Sequence, residues 1–314
     1  MNEFMVQAIQ ALLIPVLSPL IVGITRKMKA RLQGRRGAPV IQPYRDLWKL
    51  LHKEELVSKD ASWVFLSAPY LLLTVTVVIG AGIPVVWRGA ALLPCGDIIV
   101  VVYLLALYTF ALALAGMDTG SPFGGFGSSR EMTVSALTEG GLLFSLFAVS
   151  LIARKTGLSE IASQIASMPF ASSAPIIIAA IAFCISLLAE NGRFPFDNPA
   201  THLELTMIHE AMLLEYSARH LALMEWAAAL KLFNYACIGF ALFIPWGLAA
   251  EGAGPVGLVA SIPVLGLKLL VAGAALALLE TMSAKLRVFR ASEFLATAFL
   301  LAVLGVLVHL LLGA

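Results

Sequence analysis

The 314-residue chain is 60% apolar and 13% charged, with a mean hydropathy of +0.92 and a formal net charge of only +2. That leaves too little polar surface to cover a globule of this size in water, so composition excludes a soluble fold and points to an integral membrane protein with no nucleic-acid partner. Three separated cysteines, Cys95, Cys184 and Cys237, suggest neither a disulfide framework nor a metal cluster.

Apolar runs long enough to cross a bilayer, about 20 residues each, predict eight transmembrane helices at roughly 5–25, 69–88, 97–116, 131–152, 174–191, 223–249, 256–280 and 292–313. The expected fold class is an all-α, multi-pass protein of the cell membrane, with 1–314 forming a single polytopic domain in the lipid bilayer. The N-terminal stretch lacks a basic n-region and a small-residue cleavage site, so it reads as a retained first span. Of the 21 Lys and Arg residues, 16 fall in the loops that are inside if both termini are outside, and only Arg88, Arg154 and Lys155 fall in the outer loops. Basic loops stay on the cytoplasmic side, which predicts N-out, C-out.

The first inner loop, 26–68, is basic and too long for a simple connection, so it is expected to be structured. Within it, 42–55 alternates apolar and charged residues with Tyr44, Leu47, Leu50 and Leu51 near one stripe, the pattern of a short amphipathic helix on the membrane surface. Such a loop serves either lipid headgroups or a cytoplasmic protein. For the second use, candidate docking residues are Arg35, Arg36, Gln42, Asp46 and Lys49, joined by Arg130, Arg193 and Asp197 from other inner segments.

Between the fifth and sixth spans, 190–216 carries five carboxylates and two histidines. Ionisable groups near membrane depth cost several kcal/mol each unless paired, hydrated or protonated, so ion handling is the default reading of an acidic segment at 191–222. If 201–216 were one helix, Glu204 and Glu215 would share one stripe and His202 and His209 another, with Asn198 as cap and Pro199 at the first position. Histidines and glutamates together span the pKa range a proton relay needs. Neither HExxH nor a cysteine pair is present, so no metal is expected.

Glu139, Glu190, Glu225, Lys231, Lys268 and Glu280 also fall in or beside the spans. Glu225 and Lys231 are expected either as a structural ion pair or as part of a relay. Glu280 is expected to sit in an interfacial cluster with Lys285, Arg287 and Arg290. The Gly-rich GSPFGGFGSSR lacks the GK[ST] of a phosphate loop and reads as a tight turn facing a partner, while 159–174 reads as an ordinary connector.

Four runs, RLQGRRGAPVIQPYRDLWKLLHKEE, GSPFGGFGSSREMTVSALTE, ENGRFPFDNPATHLEL with HEAMLLEYS after it, and LLETMSAKLRVFRASEFL, resemble the membrane-anchor subunit shared by respiratory complex I and the energy-converting, membrane-bound [NiFe]-hydrogenases. The wording PFDNPATHLELTMIHEAMLLEYS is more similar to the formate hydrogenlyase subunit 4 and hydrogenase-4 component C types than to the complex I form. The resemblance implies a non-redox subunit that couples redox chemistry to proton or sodium-ion translocation. No cofactor is implied in this chain. A [NiFe] centre and [4Fe-4S] clusters would lie in the hydrogenase large and small subunits and a ferredoxin-like subunit on the cytoplasmic side, with antiporter-like subunits in the membrane. Glu139, nine residues after Arg130, resembles the carboxylate that lines the family's acidic channel. Where the family has three alternating glutamates this chain has Ala200, His202 and Glu204, and three extra residues precede Glu215, which implies that His202, His209 and Glu210 share the coupling role. Candidate coupling residues are therefore Glu139, Glu190, His202, Glu204, His209, Glu210, Glu215, Glu225 and Lys231. Two other readings stay open, a complex I subunit forming part of a quinone site and a free-standing ion transporter.

Overall fold

A computed structural model describes residues 3–89, 94–168, 174–197, 207–250, 255–283 and 288–312. These form ten α-helices: α1 Glu3–Leu32, α2 Gln42–Leu51, α3 Trp63–Gly82, α4 Ile98–Asp118, α5 Pro122–Ala153, α6 Leu158–Ser167, α7 Ala174–Glu190, α8 Ala218–Phe243, α9 Pro255–Met282 and α10 Val288–Leu312. Seven of them, among the described residues, are long and apolar enough to cross a membrane. The predicted span at 174–191 is the 17-residue α7, about 26 Å long at 1.5 Å per residue. The protein is a multi-pass, all-helical membrane protein.

Helix α8 lies at the centre. Two thirds (67%) of its apolar window is buried, against 22% for α10. It packs on α1, α3, α6 and α7, while α10 and α7 pack on α5 and α9 lies against α1. Pro15 and Pro19 both lie inside α1. Proline lacks the N–H that would reach the carbonyl four residues back. The Pro15 carbonyl, freed by Pro19, accepts instead from Trp226 Nε1 of α8 at 3.0 Å and from Ser18 Oγ at 3.1 Å.

Three expectations change here. The Gly-rich motif is mostly helix and not a turn: Gly120, at φ +66°, reverses the chain, and α5 then starts at Pro122, nine residues before the predicted span. A side chain on Gly124 would come within 2.1 Å of the Gly116 carbonyl, so the glycines let α5 lie on α4. The supposed connector contains α6, whose Leu158, Ile161, Ala162 and Ile165 repeat at helical spacing and are buried. Finally, 201–216 is not one helix through its described part. Glu210–Leu213 is a short 3-10 turn, and α8 begins only at Ala218. The N–H groups of Ile208 and His209, which a continuous helix would use internally, both donate to Asp197 Oδ2 at 3.1 Å.

Helix α2 occupies the place read for the amphipathic segment. Tyr44 donates to the Val16 carbonyl of α1, and Leu47 turns inward while Trp48 and Lys49 stay exposed.

Candidate functional site

The basic loop and the acidic segment meet on one side of the bundle. Ser217 Oγ donates to the Leu56 carbonyl and accepts from the Leu56 N–H at 2.9 Å, and His220 contacts Glu55. Tyr216 stacks on Phe65 with ring centroids 3.9 Å apart and donates to the Phe65 carbonyl at 2.9 Å. Burial first, and the charge of Asp118 second, hold the Tyr216 phenol above its ordinary pKa, so it remains a donor.

Between these segments opens a cavity of about 500 Å³. Its walls carry Arg26 and Lys29 from α1, Asp46 from α2, Arg193 and Asp197 from the link after α7, His209 and Glu210, Glu225 of α8 and Glu280 of α9. Glu280 is held by two cations, Lys29 Nζ at 2.9 Å and Arg193 at 3.3 Å, and Lys29 sits 5.0 Å over the Phe194 ring. This clamp ties α9, α1 and the acidic link together.

The cavity ends at a buried ion pair. Glu190, at the end of α7, and Lys231, in α8, are 4% and 1% exposed, and their Oε2 and Nζ are 2.9 Å apart. Lys231 also donates to Thr109 Oγ1 at 3.4 Å and lies 4.8 Å over the Tyr108 ring, while Ser135 donates to Glu190 Oε1 at 3.3 Å. Charges this deep persist only when paired and further hydrogen-bonded. On the far side of the pair, Thr109 and Ser135 line a second cavity of about 380 Å³, between α4 and α5, together with Glu139, Tyr103, Phe110 and Met132. Thr109 therefore meets both Glu190 and Lys231, Ser135 meets Glu190, and both residues share a cavity wall with Glu139.

A family model described as NADH dehydrogenase matches residues 5–311. The chain belongs to this family. Formate hydrogenlyase subunit 4 of Escherichia coli (strain K12) is 37% identical over 280 residues, 89% of this chain and 90% of the relative. Hydrogenase-4 component C of the same organism is 37% identical over 242 residues, 77% of this chain and 76% of the relative. An NADH-quinone oxidoreductase subunit from Anaplasma phagocytophilum (strain HZ) is 29% identical, covering 65% of this chain and 64% of its own length. In fold the chain is similar to one from the membrane-bound sulfane sulfur reductase, an archaeal respiratory membrane complex, with a TM-score of 0.82, 23% identity and coverage of 96% of this chain and 99% of that one. The resemblance read from the four motifs holds.

Of the residues expected to matter in this NADH dehydrogenase family member, the cavity gathers Asp46, Glu190, Arg193, Asp197, His209, Glu210, Glu225 and Lys231. Glu139 lies beyond the pair, in the second cavity. Gln42 bonds Asp46 at 2.8 Å, and Arg130 donates to the Met207 carbonyl at 3.4 Å. Arg35, Arg36 and Lys49 are exposed on the loop, and Glu215 is exposed off the cavity wall. His202 and Glu204 lie outside the described residues, as do Asn198, Pro199, Ala200, Lys285 and Arg287. Lys231 pairs with Glu190 and not with Glu225, because residues six apart on α8 face different ways. Glu280 pairs with Lys29 and Arg193, both distant in sequence. Among the described residues, no group of three His, Cys, Asp or Glu could hold a metal.

Several site residues carry no signal in a motif search. Thr109 and Ser135 are ordinary polar residues in apolar helices. Glu131, 5% exposed and 3.9 Å from His209 Nδ1, stands one turn before Ser135 and two before Glu139 on α5, and that i, i+4, i+8 stripe is the signal that finds it.

Proposed function

We propose that this chain is the non-redox membrane subunit of an energy-converting [NiFe]-hydrogenase complex of the formate hydrogenlyase or hydrogenase-4 type. The hydrogenase large and small subunits and a ferredoxin-like subunit, carrying the [NiFe] centre and [4Fe-4S] clusters, seat on the cytoplasmic loop through Arg35, Arg36 and Lys49. Redox change in that module alters the charge around the cavity, and an ion moves in response toward antiporter-like subunits in the membrane. The two relatives at 37% identity support the hydrogenase type.

The single observation that supports coupling is the shared hydroxyl wall. Thr109 and Ser135 join the buried Glu190–Lys231 pair, reached from the charged cavity, to the cavity holding Glu139. The route runs from the cytoplasmic cavity to Glu190 and Lys231, past the two hydroxyls, to Glu139. A quinone site would use the same cavity, whose volume suits a small ligand. Ligand pockets, however, are mostly apolar with few polar groups, whereas ten charged side chains line this one, and such walls suit water and ions.

The test uses the whole complex, purified and reconstituted in vesicles, with reduced methyl viologen as electron donor. Glu139→Gln is expected to leave assembly and hydrogen evolution in place while abolishing ion translocation. Native translocation by that variant rejects the route.

A further inference from the structure

The surroundings of Lys231 bear on which ion passes. Its ammonium is met by one carboxylate, the Thr109 hydroxyl and the face of Tyr108, and Ser135 holds the other oxygen of that carboxylate. This is a cation site whose cation is part of the protein. A hard cation is held by a shell of oxygen ligands, about six at ordinary sizes. Here the carboxylate and the Thr109 hydroxyl are already committed to the ammonium. A second cation would have to share Glu190 with Lys231 at contact distance, in buried surroundings where like charges repel more strongly than in bulk water.

Two more oxygens lie near. Ser186 stands one turn before Glu190 on α7 and Tyr235 one turn after Lys231 on α8. Both are fully buried, and neither hydroxyl has a hydrogen-bond partner.

We propose that Lys231 is the ion-selectivity residue of this subunit: its ammonium fills the cation place formed by Glu190, Thr109 and the face of Tyr108, so that protons pass and Na⁺ does not. The inference rests on the coupling reading above and names its ion. The steps balance. A proton from the cytoplasmic cavity adds to the Glu190 carboxylate; Lys231, its counter-charge gone, releases a proton toward the Glu139 carboxylate; Glu190 then returns its proton to Lys231. Glu139 finally releases its proton into the α4–α5 cavity, so that one proton enters, one leaves, and both the pair and Glu139 are restored. Na⁺ has no equivalent of the last step, because a metal ion cannot be handed over without displacing the ammonium.

The test again uses the complete complex in vesicles driven by reduced methyl viologen, with sodium-free and sodium-containing buffers, a pH-sensitive dye and ²²Na⁺. The native complex is expected to move protons equally well without Na⁺ and to accumulate no ²²Na⁺. Lys231→Ala, which leaves the carboxylate and hydroxyl oxygens around an open space, is expected to lose proton movement and to gain several-fold stimulation of turnover by Na⁺. Lys231→Arg, whose guanidinium keeps its proton, is expected to block both ions. Accumulation of ²²Na⁺ by the native complex overturns the proposal, as does a Lys231→Ala complex that assembles without responding to Na⁺. If Lys231→Ala does not assemble, the native and Lys231→Arg measurements still decide the ion. Movement of neither ion by an active native complex rejects the coupling reading itself, a different outcome.

Discussion

Tyr216 donates its hydroxyl to the Phe65 carbonyl, the one carbonyl of α3 that Pro69 leaves without its helical partner. The acidic segment is thus fastened to the helix that follows the basic loop by a bond that exists because of a proline four residues away. Stacking of the two rings sits on top of it. Tyr216→Phe keeps the stacking and orphans the carbonyl, so it is expected to cost about 1–3 kcal/mol. Pro69→Ala supplies the missing N–H and is expected to recover most of that loss in the double variant, a coupling that thermal unfolding of the purified complex measures as a double-mutant cycle. Additive effects would show that the Phe65 carbonyl finds another donor.

The buried pair makes a second prediction about stability. Removing one partner leaves an uncompensated charge, which costs about 3–5 kcal/mol, whereas replacing both with apolar or neutral groups of similar volume is often close to neutral. Glu190→Gln and Lys231→Met are each expected to lower the amount of complex in the membrane. The double variant Glu190→Gln/Lys231→Met should accumulate better than either single one, yet move no ions. Immunoblotting of membranes beside a ΔpH assay checks both halves. A double variant as poorly assembled as the singles would place the pair's importance in specific geometry and not in charge balance.

The Glu280 clamp gives a third. Glu280→Gln takes the counter-charge from Lys29 and Arg193 together. Both cations are about a quarter exposed, so water offsets part of the loss, and the expected cost is on the order of 1 kcal/mol. The visible effect is local: the link bearing Arg193 should loosen from α9, raising hydrogen exchange through 191–197 while α8 stays protected. Unchanged exchange there would mean that the Asp197 bonds to Ile208 and His209 suffice to hold the link.

How far the sequence carried can be seen in these same residues. The apolar runs gave the helices, and the Lys and Arg asymmetry predicted that the basic loop and the acidic segment share a side, as their contacts do. The acidic segment was found because five carboxylates stand out in hydrocarbon. What could not be read was pairing. Lys29 finds Glu280 across 251 positions, and Lys231 finds Glu190 and not the nearer Glu225. Such partners are chosen by how helices pack, which local spacing does not encode. Glu215 misled for a related reason: its stripe presumed a helix that Asp197 interrupts by taking two N–H groups for itself. Thr109 and Ser135 are visible only once the charges they touch are placed.

Docking on the basic loop is tested by charge. Arg35 and Arg36 are exposed beside Gly34 and Gly37, both at positive φ. If they bind the cytoplasmic module, Arg35→Glu with Arg36→Glu should release it from membranes, and release of the native module should increase with salt, since exposed charge pairs are screened beyond about 10 Å at 0.1 M. Co-purification that survives both the charge reversal and high salt would assign the loop to lipid headgroups instead.

Glu139 offers the last prediction, from its setting on a spanning helix. It is half-buried in α5 and lines an open groove together with Tyr103, Leu107, Phe110 and Met132, four side chains exposed on the outside of the helix bundle. A charged carboxylate facing lipid is costly, so in the isolated subunit Glu139 should carry a proton or lie under a neighbouring subunit in the assembled complex. A membrane-soluble carbodiimide reacts with protonated carboxyls and concentrates in apolar phases, lipid or detergent. It is therefore expected to label Glu139 in the detergent-purified single subunit and to label it much less in the whole complex, with Glu139→Gln as the unlabelled control and peptide mass spectrometry as the readout. Equal labelling in both would leave the α4–α5 groove facing lipid in the complex, and the ion would then need another way out of the subunit. Loss of labelling on assembly would identify this groove as the place where the neighbouring membrane subunit receives the ion.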